Sequence, residues 1–473
     1  MAKKEAGPDT TSAAYNHMLP LWNKIAAVLG GTETMRAAGE EYLPRHTRES
    51  QDAYDERLYR TVLTNTTEQT LNGWVGRPFS KPLQFNQDIP EQLSDLLEDA
   101  DQQGSDLDVF CRNWFRDGLA KGFSHVLVDF PSLRGSNEPR TLADDRAENL
   151  RPYFVPVAPE NVIAAHAEII GGVEKLVHVR VLEQELVRVG FEEVLLERIR
   201  VYAPGQVQLY EKQKPKNATK AEWVLVDEYS YDLDYIPMVT FYSQRDGFML
   251  SKPPLLDLVN LNIGHWQSQS DQTAVLTVAR FPMLASSGSM EDGEVVVGPN
   301  QWLSTRDPQG RVYYVEHTGR AINSGRLDLL DLEEKMAKYG AEFLTKKPGR
   351  QTATARALDS AEAISPLQDM SHRFVDSVNL ALRYAADWLS LDNGGTIDLD
   401  TDFGLSGSDA GALTAITNAR TNRDLSREAY LRELQRYGVL DIAFDADADG
   451  EILQAEESLL GLSTQDLNQE SVT

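Results

Sequence analysis

The chain has 473 residues, of which 73 are Asp or Glu and 46 are Lys or Arg, so its formal charge is −27. At roughly 150 residues per domain, this length allows about three units with their own cores. The acidic excess argues against a surface that wraps DNA, because phosphate binding depends on Lys and Arg. The single cysteine, Cys111, can form neither an internal disulfide nor a cysteine-based metal cluster. The sequence has no run of about 18 apolar residues and no export pattern near the N-terminus. We therefore expect a protein of the reducing cytoplasm.

The N-terminal quarter of the chain predicts helices followed by a buried strand. Apolar residues at three- and four-residue spacing favour one helix over 15–29 and another over 50–74. Residues 106–121 are amphipathic and end at Gly122, a suitable helix C-cap, before an apolar strand over 124–130. A helix packed on a sheet is therefore expected.

Short alternating apolar runs follow an exposed polar loop at 134–150. Turn residues separate these runs, which is typical of a meandering antiparallel sheet. The predicted strands are 153–157, 177–181, 198–202, 207–210, 223–226 and 238–242.

Three long helices are predicted after the meander. The first, 255–279, is polar and mostly uncharged around most of its circumference, so it either bridges domains or packs beside copies of itself. A small β segment over 281–315 separates it from a second helix over 326–344. The third helix, 352–391, should kink at Ser365-Pro366, because proline lacks the N–H donor. The remaining predicted elements are an edge strand at 397–400 and helical structure over 409–438.

Catalytic motifs are absent from the sequence. It contains no Gly-rich phosphate loop, no Gly-x-Ser-x-Gly elbow and no His-Glu-x-x-His. His125 and Cys111 could form a nucleophile pair, but a core histidine and a small buried thiol are the favoured interpretation. Asp129, at a strand end, could be a general base, but an aspartate there more often caps a turn. We therefore predict that the protein is not an enzyme.

An acidic segment near the C-terminus matches the EF-hand calcium loop. It has oxygen ligands at positions 1, 3 and 5, Gly450 at position 6 and an acid at position 12, and such clustered carboxylates need a hard cation. The alternative is an acidic solvated turn, because the loop is single and Gly438 and Asp441 interrupt its entering helix. The predicted Ca²⁺ ligands are Asp445, Asp447, Asp449, Glu451 and Glu456.

Basic residues are concentrated in one segment of this acidic chain. Between Glu342 and Asp359 there are four cations and no acid. Such a run is usually a solvated face, and one copy would bind DNA weakly, but copies repeated around a ring would form a collar of positive charge. The four residues are Lys346, Lys347, Arg350 and Arg356.

The order of elements resembles the portal proteins of tailed bacteriophages, the head-to-tail connectors, over residues 42–391. Several segments are similar to that family's pattern, and their order makes the likeness specific. These segments are Tyr42-Leu43-Pro44 and residues 54–60, 73–82, 118–131, 253–262 and 336–344.

The resemblance implies an α+β, portal-like elongated subunit. It would have a helical and β wing, a two-helix stem, a small β clip, a kinked long helix and a helical C-terminal crown. Polar residues of the first stem helix would hydrogen-bond to neighbouring copies, and the tunnel-loop cations would lie nearest the DNA. The implied segments are the wing (1–250), stem helix 1 (251–280), the clip (281–323), stem helix 2 (324–345), the tunnel loop (346–351), the kinked helix with a wing return strand (352–408), and the crown with a tail (409–473).

The same resemblance implies a mechanical function. A homododecameric ring at one capsid vertex would be the channel for double-stranded DNA during packaging and ejection. The implied partners are further copies of the chain, DNA, the terminase large subunit, the head–tail adaptor and the major capsid or scaffold protein, with no membrane and no required cofactor beyond a possible Ca²⁺. The ring would assemble in the host cytoplasm and reside in the virion. The alternatives are another phage structural protein, of the capsid or baseplate, and a soluble enzyme with an unrecognised site.

Overall fold

The computed structural model divides the chain into two compact units. One comprises residues 1–350 and 365–400, and the other comprises residues 351–364 and 401–473. The residues that the structure describes are 7–86, 88–131, 150–213, 221–280, 283–287, 308–315, 319–340, 353–399, 410–436, 439–440, 449 and 452.

The N-terminal region is helical, with α1 at Ala13–Leu29, α2 at Gly31–Ala38, α3 at Gln51–Arg60 and α4 at Thr66–Gly76. The prediction of one helix over 50–74 is therefore wrong. The chain leaves the helix at Thr61, where φ is −74° and ψ is 135°. Thr61, Val62 and Thr64 are β-branched, which lowers helix propensity. The side chain of Asn65 then accepts a hydrogen bond from the Glu68 N–H at 3.0 Å and so caps α4.

The predicted helix–strand unit is confirmed. After β1 (Gln84–Phe85) and α5 (Ser94–Glu98), α6 spans Leu107–Lys121 and β2 spans Phe123–Asp129. Gly122 between α6 and β2 has φ +92°, the left-handed conformation expected of a helix C-cap. A Cβ at this position would also lie 2.5 Å from Ser251 Oγ, so both conformation and space favour glycine.

The antiparallel meander is confirmed, but it forms two sheets rather than one. β2 is the centre of a three-stranded sheet of order β3-β2-β9, in which Val126 pairs with Pro156 on one side and Val239 on the other. The other sheet has the order β4-β5-β6-β7-β8. The strands are β3 Tyr153–Val157, β4 Val162–Ile170, β5 Val173–Val189, β6 Glu192–Ala203, β7 Gln206–Gln213, β8 Glu222–Ser230 and β9 Met238–Tyr242.

One hydrophobic core joins α1 to both sheets. Trp22 of α1 contacts Phe123 of β2 edge to face, with ring centroids 5.6 Å apart. The same buried cluster includes Val179 and Val181 of β5. The centre of β5 is thus fixed against the core, whereas both of its ends extend past it.

The predicted long helices are present, and the α+β class is confirmed. α7 spans Leu256–Ala279 and α8 spans Arg320–Gly340, six residues earlier than the predicted start. Between them β10 (Met283–Ser287) and β11 (Arg311–Val315) form an antiparallel hairpin. α9 (Ala353–Trp388) continues through Pro366. The strand β12 (Ile397–Asp398) pairs with β1.

Two helices lie where the sequence predicts one helical stretch over 409–438. α10 spans Ala410–Thr421 and α11 spans Arg427–Arg436. The break has a local cause, since Arg423 has φ +65° and Ser426 Oγ accepts a hydrogen bond from the Ala429 N–H at 3.1 Å, capping the new helix. Across the described part of the chain, no helix combines the length and apolar character that crossing a membrane requires.

Candidate functional site

The long helices α7 and α8 lie side by side and antiparallel. Their side-chain contacts occur in opposite order along the two helices, which establishes the direction. Near one end the Tyr339 hydroxyl donates to Asp257 at 2.9 Å. The further contacts are His265 Nε2 to Glu333 Oε1 at 3.3 Å, Ser268 Oγ to Asp328 Oδ2 at 2.6 Å, and Gln272 Nε2 to the Ile322 carbonyl at 3.0 Å.

The first half of α7 is anchored to the N-terminal helices by a buried amide. Asn262 is completely buried. Its Oδ1 accepts hydrogen bonds from the Thr67 N–H at 3.1 Å and the Thr67 hydroxyl at 3.0 Å, and its Nδ2 donates to the Thr64 carbonyl at 2.8 Å. These hydrogen bonds involve both polar groups of the Asn262 side chain and hold the N-terminus of α4. Position 262 therefore favours Asn over a hydrophobic residue.

Trp266 provides the apolar part of the same anchor. Its side chain is 0% exposed and is among the largest fully buried side chains in the described chain. It packs with Val259 of α7 against a cluster drawn from α1 to α3 and the segments that follow them. The other buried members of this cluster are Ile25, Val28, Met35, Tyr42, Leu43, Tyr54 and Leu63.

A buried ion pair adjoins the middle of α7. Arg57 donates from Nε and Nη2 to the two carboxylate oxygens of Glu49, at 2.8 and 2.9 Å, and from Nη1 to Ser270 Oγ at 3.1 Å. The side chains of Arg57 and Glu49 are only 5% and 10% exposed. The hydrogen bonds from Arg57 lower the pKa of Glu49 to about 2. The fork geometry is that of a strong, charge-assisted pair, and it links α3 to α7.

The polar surface of α7 is largely used within the subunit. Several of these residues have hydrogen-bond partners in the same chain, and the expectation that they also bond to neighbouring copies stays a prediction. Lys24 donates to Asn260 at 3.2 Å, Gln267 donates to the Tyr42 carbonyl at 2.9 Å, and Ser270 is held by Arg57 and Thr61. The helix is polar because it bridges several elements, which is the other interpretation of such a pattern.

The predicted basic residues and calcium ligands fall mainly outside the described residues. Lys346, Lys347 and Arg350 lie there, and only the backbone of Arg356 is described, in α9. Among the predicted calcium ligands, Asp449 is described, and its Oδ2 accepts from Arg427 Nη2 at 2.8 Å. Both predictions stay predictions. The ligands outside the described residues are Asp445, Asp447, Glu451 and Glu456.

The residues weighed as catalytic have structural partners. Cys111 is completely buried, and burial raises the pKa of its thiol. His125 Nδ1 lies 2.9 Å from Thr240 Oγ1, and burial lowers the pKa of its imidazole to about 3, so the ring is neutral near pH 7. Asp129 accepts hydrogen bonds from the Phe130 N–H at 2.9 Å and the Tyr153 hydroxyl at 3.3 Å. These contacts agree with core and turn-capping roles.

One comparison with known proteins matches the part of the chain that contains the long helices. A family model described as a domain of unknown function (DUF4055) matches residues 254–389, which contain α7, the hairpin, α8 and α9. The search of curated proteins gives no match.

The solved structures with detectable similarity include chains of gene transfer agent (GTA) particles. The neck of the native GTA particle computed with C12 symmetry is 12% identical, with 78% of this chain and 89% of that chain covered and a TM-score of 0.40. The neck of the empty particle computed with C6 symmetry is 12% identical, with coverages of 86% and 94% and a TM-score of 0.40. The virion of the native particle is 13% identical, with coverages of 88% and 97% and a TM-score of 0.38.

Proposed function

We propose that this chain is a portal subunit, which forms a ring at one capsid vertex and encloses the channel for double-stranded DNA. The observation that carries the proposal is the helix–hairpin–helix unit of α7, β10, β11 and α8. Two long antiparallel helices, with a small β hairpin between them in sequence, correspond to the stem and clip that the resemblance implies. The buried contacts of Asn262, Trp266 and Arg57 give α7 the rigid base that a channel wall under load requires.

Exposed apolar residues on the helix pair support a multimer. Leu327 and Leu330 of α8 are 55% and 46% exposed, and Val278 of α7 is 64% exposed. Several polar residues of the same helices are already paired within the subunit. Burial of these side chains against neighbouring copies would remove apolar surface from water, at about 25 cal/mol per Å².

The charge of the chain suits a conduit better than a DNA-wrapping surface. Twelve copies at −27 each carry a formal charge of −324. Acidic walls repel phosphates and let DNA slide, whereas the basic segment marks where contact would occur. On this proposal the terminase supplies ATP hydrolysis, the adaptor binds after packaging, and the ring resides in the virion.

Electron microscopy of the purified full-length protein, with native mass spectrometry, tests the proposal. A portal subunit should give rings with an open centre and a mass that is an integral multiple of the 52.8 kDa chain. Solid or sheet-like assemblies would favour the capsid or baseplate alternative instead. A stable monomer with hydrolase or transferase activity would support the enzyme alternative.

Replacing Lys346, Lys347 and Arg350 together with alanine should reduce packaged DNA severalfold without preventing ring formation. The physical reason is the loss of phosphate-binding charge where the channel is proposed to contact DNA. The measurement is encapsidated DNA per particle in a packaging assay. Alanine at Lys335 and Lys338, two exposed cations of α8, is the matched control and should leave packaging unchanged. Equal packaging by the triple variant and the wild type would remove the tunnel-loop role.

The C-terminal acidic loop is proposed to bind one Ca²⁺ ion per chain. Calorimetric titration of the wild-type protein should show a single site, which Asp445→Ala abolishes because the ligand at the first loop position is lost. Asp424→Ala, in the link between α10 and α11, should retain the site. A flat wild-type isotherm would rule the site out.

A further inference from the structure

The β5–β6 hairpin carries an unpartnered apolar tip. β5 and β6 remain paired from Val179 opposite Tyr202 out to Val189 opposite Glu192, well past the core. At the turn, Phe191 is fully exposed, and Leu186 and Val189 are 65% and 61% exposed. Singly exposed apolar residues are ordinary. Here Leu186 and Val189 lie on opposite faces of the projecting hairpin, because side chains alternate along a strand, and Phe191 lies at the turn, so the end of the hairpin is apolar on both faces. We call Leu186, Val189 and Phe191 the tip.

An open groove of about 570 Å³ lies at the opposite end of the same strand. It is bordered by the first residues of β5, by β9 and by residues 380–387 near the end of α9, all within the first compact unit. Polar and apolar groups contribute about equally to its lining, and the space has room for a side chain of the size of Phe191. The lining residues used below are Val173, Tyr235, Phe248, Leu380 and Tyr384.

The tip and the groove of one chain cannot meet. β5 has 17 residues, so its ends lie about 50 Å apart at roughly 3.3 Å per residue. Val173 at the groove and Val189 at the tip are those two ends. Any filling of the groove by a tip must therefore come from a second copy of the chain.

Unpaired charges at the two surfaces are complementary. Glu192 and Glu193 directly follow Phe191 and are exposed. Arg188 lies opposite Glu193 in the strand register but donates to the Gly190 carbonyl at 2.8 Å, and neither glutamate forms an ion pair with a described residue. At the groove, Lys175 and Arg383 are exposed cations that likewise form no ion pair within the described ranges. The groove's own acids are already engaged, because Glu174 pairs with Arg245 and Asp387 accepts a hydrogen bond from Tyr235 at 2.5 Å. The tip thus combines apolar side chains with a net negative charge, and the groove combines a mixed polar and apolar lining with a net positive charge.

We propose that the tip of one subunit docks in the groove of the next subunit. The two surfaces differ, so the contact is head to tail, and such contacts produce closed rings when the rotation between copies closes. This inference rests on the proposed function, because the docking contact would be one interface between neighbouring subunits of the ring. Phe191 would fill the groove, while Glu192 and Glu193 would meet Lys175 and Arg383.

Photo-crosslinking tests the docking directly. Phe191 is replaced by photoreactive benzoylphenylalanine in full-length protein, and isotopically heavy and light chains are mixed before irradiation. Mass spectrometry should find mixed-isotope cross-links to residues 235–249 or 380–387. The same probe at Tyr59, a residue of α3 that is 75% exposed, is the control and should not label the groove. Cross-links from position 191 that map elsewhere, or only within one chain, would overturn the docking.

Charge reversal provides a second readout. Glu192→Lys with Glu193→Lys should weaken assembly by about tenfold or more, since like charges would then face each other. Lys175→Glu with Arg383→Glu in the same chain should restore assembly. Asp52→Lys with Asp55→Lys, on α3, is the control and should leave assembly unchanged.

The outcomes separate this inference from the proposed function. Wild-type rings without cross-links between position 191 and the groove would leave the portal proposal standing and remove this interface. Open filaments joined by those cross-links would retain the interface and contradict the ring. A wild-type monomer with no intermolecular cross-link would contradict both.

Discussion

Replacing Trp266 with alanine should lower the free energy of unfolding of the first compact unit by about 3–5 kcal/mol, the range for large aromatic side chains removed from a core. The side chain is fully buried in the cluster that joins α7 to the N-terminal helices. Its removal costs the transfer free energy of the indole and leaves a cavity that rigid helices fill only in part. Urea denaturation followed by circular dichroism measures the change.

Two comparison variants isolate the role of this contact. Trp266→Phe keeps most of the buried volume and should cost less than the alanine variant. Trp223→Ala removes a half-buried indole from β8, where Lys212 lies over the ring, and should also cost less. Equal losses for Trp266→Ala and Trp223→Ala would show that the anchor of α7 does not depend on this cluster. If the proposed function is correct, Trp266→Ala should also give fewer intact rings at equal protein concentration.

Replacing Arg57 with alanine should lower the free energy of unfolding by about 3–5 kcal/mol at pH 7, because it leaves the Glu49 carboxylate in a largely buried position without its partner. Arg57 also loses its hydrogen bond to Ser270 of α7, so part of the effect comes from the link between α3 and the long helix. Chemical denaturation at several pH values measures the loss.

The pH dependence of this loss has a defined sign. The pKa of Glu49 falls from its ordinary 4.5 to about 2 in the folded protein. A lowered pKa contributes stability above the unfolded-state value, and that contribution is lost as the pH falls from about 4.5 towards about 2. The difference between wild type and Arg57→Ala should therefore be largest near pH 7 and shrink in acid.

An exposed ion pair is the control for Arg57. Arg432 and Glu428 of α11 are 76% and 71% exposed. Arg432→Ala should cost no more than about 0.5 kcal/mol, which is typical of surface pairs at i, i+4 spacing. A loss for Arg57→Ala that stays constant between pH 7 and pH 3 would contradict the assignment of the low Glu49 pKa to this pair.

Local pattern was sufficient to predict much of the fold. The α6–Gly122–β2 unit, the antiparallel strands and the extent of α7 follow from residue spacing and from a C-cap that requires positive φ. The predictions that failed concerned whether a helix or a sheet continues without interruption. The 50–74 helix breaks at Thr61, where a short run of β-branched residues and the Asn65 cap outweigh helical periodicity.

The candidate site was harder to predict because its contacts are distant in sequence. Nothing local indicates that Arg57 reaches Ser270, 213 residues away, or that Asn262 binds Thr64 and Thr67. The polar surface of α7 was visible in the sequence, but its partners were not. Long-range pairing decides whether such a helix faces a neighbouring copy or its own subunit.

The sequence by itself determined the α+β class, the acidic charge, the order of elements and the presence of the basic segment. These follow from composition and periodicity, which are properties of the chain. Only the tertiary structure decided that α7 is held by buried polar contacts within one subunit, and that the β5–β6 tip and the groove at Val173 lie at opposite ends of one strand. These features depend on which distant segments meet, and that is set by packing and hydrogen-bond satisfaction over the whole fold.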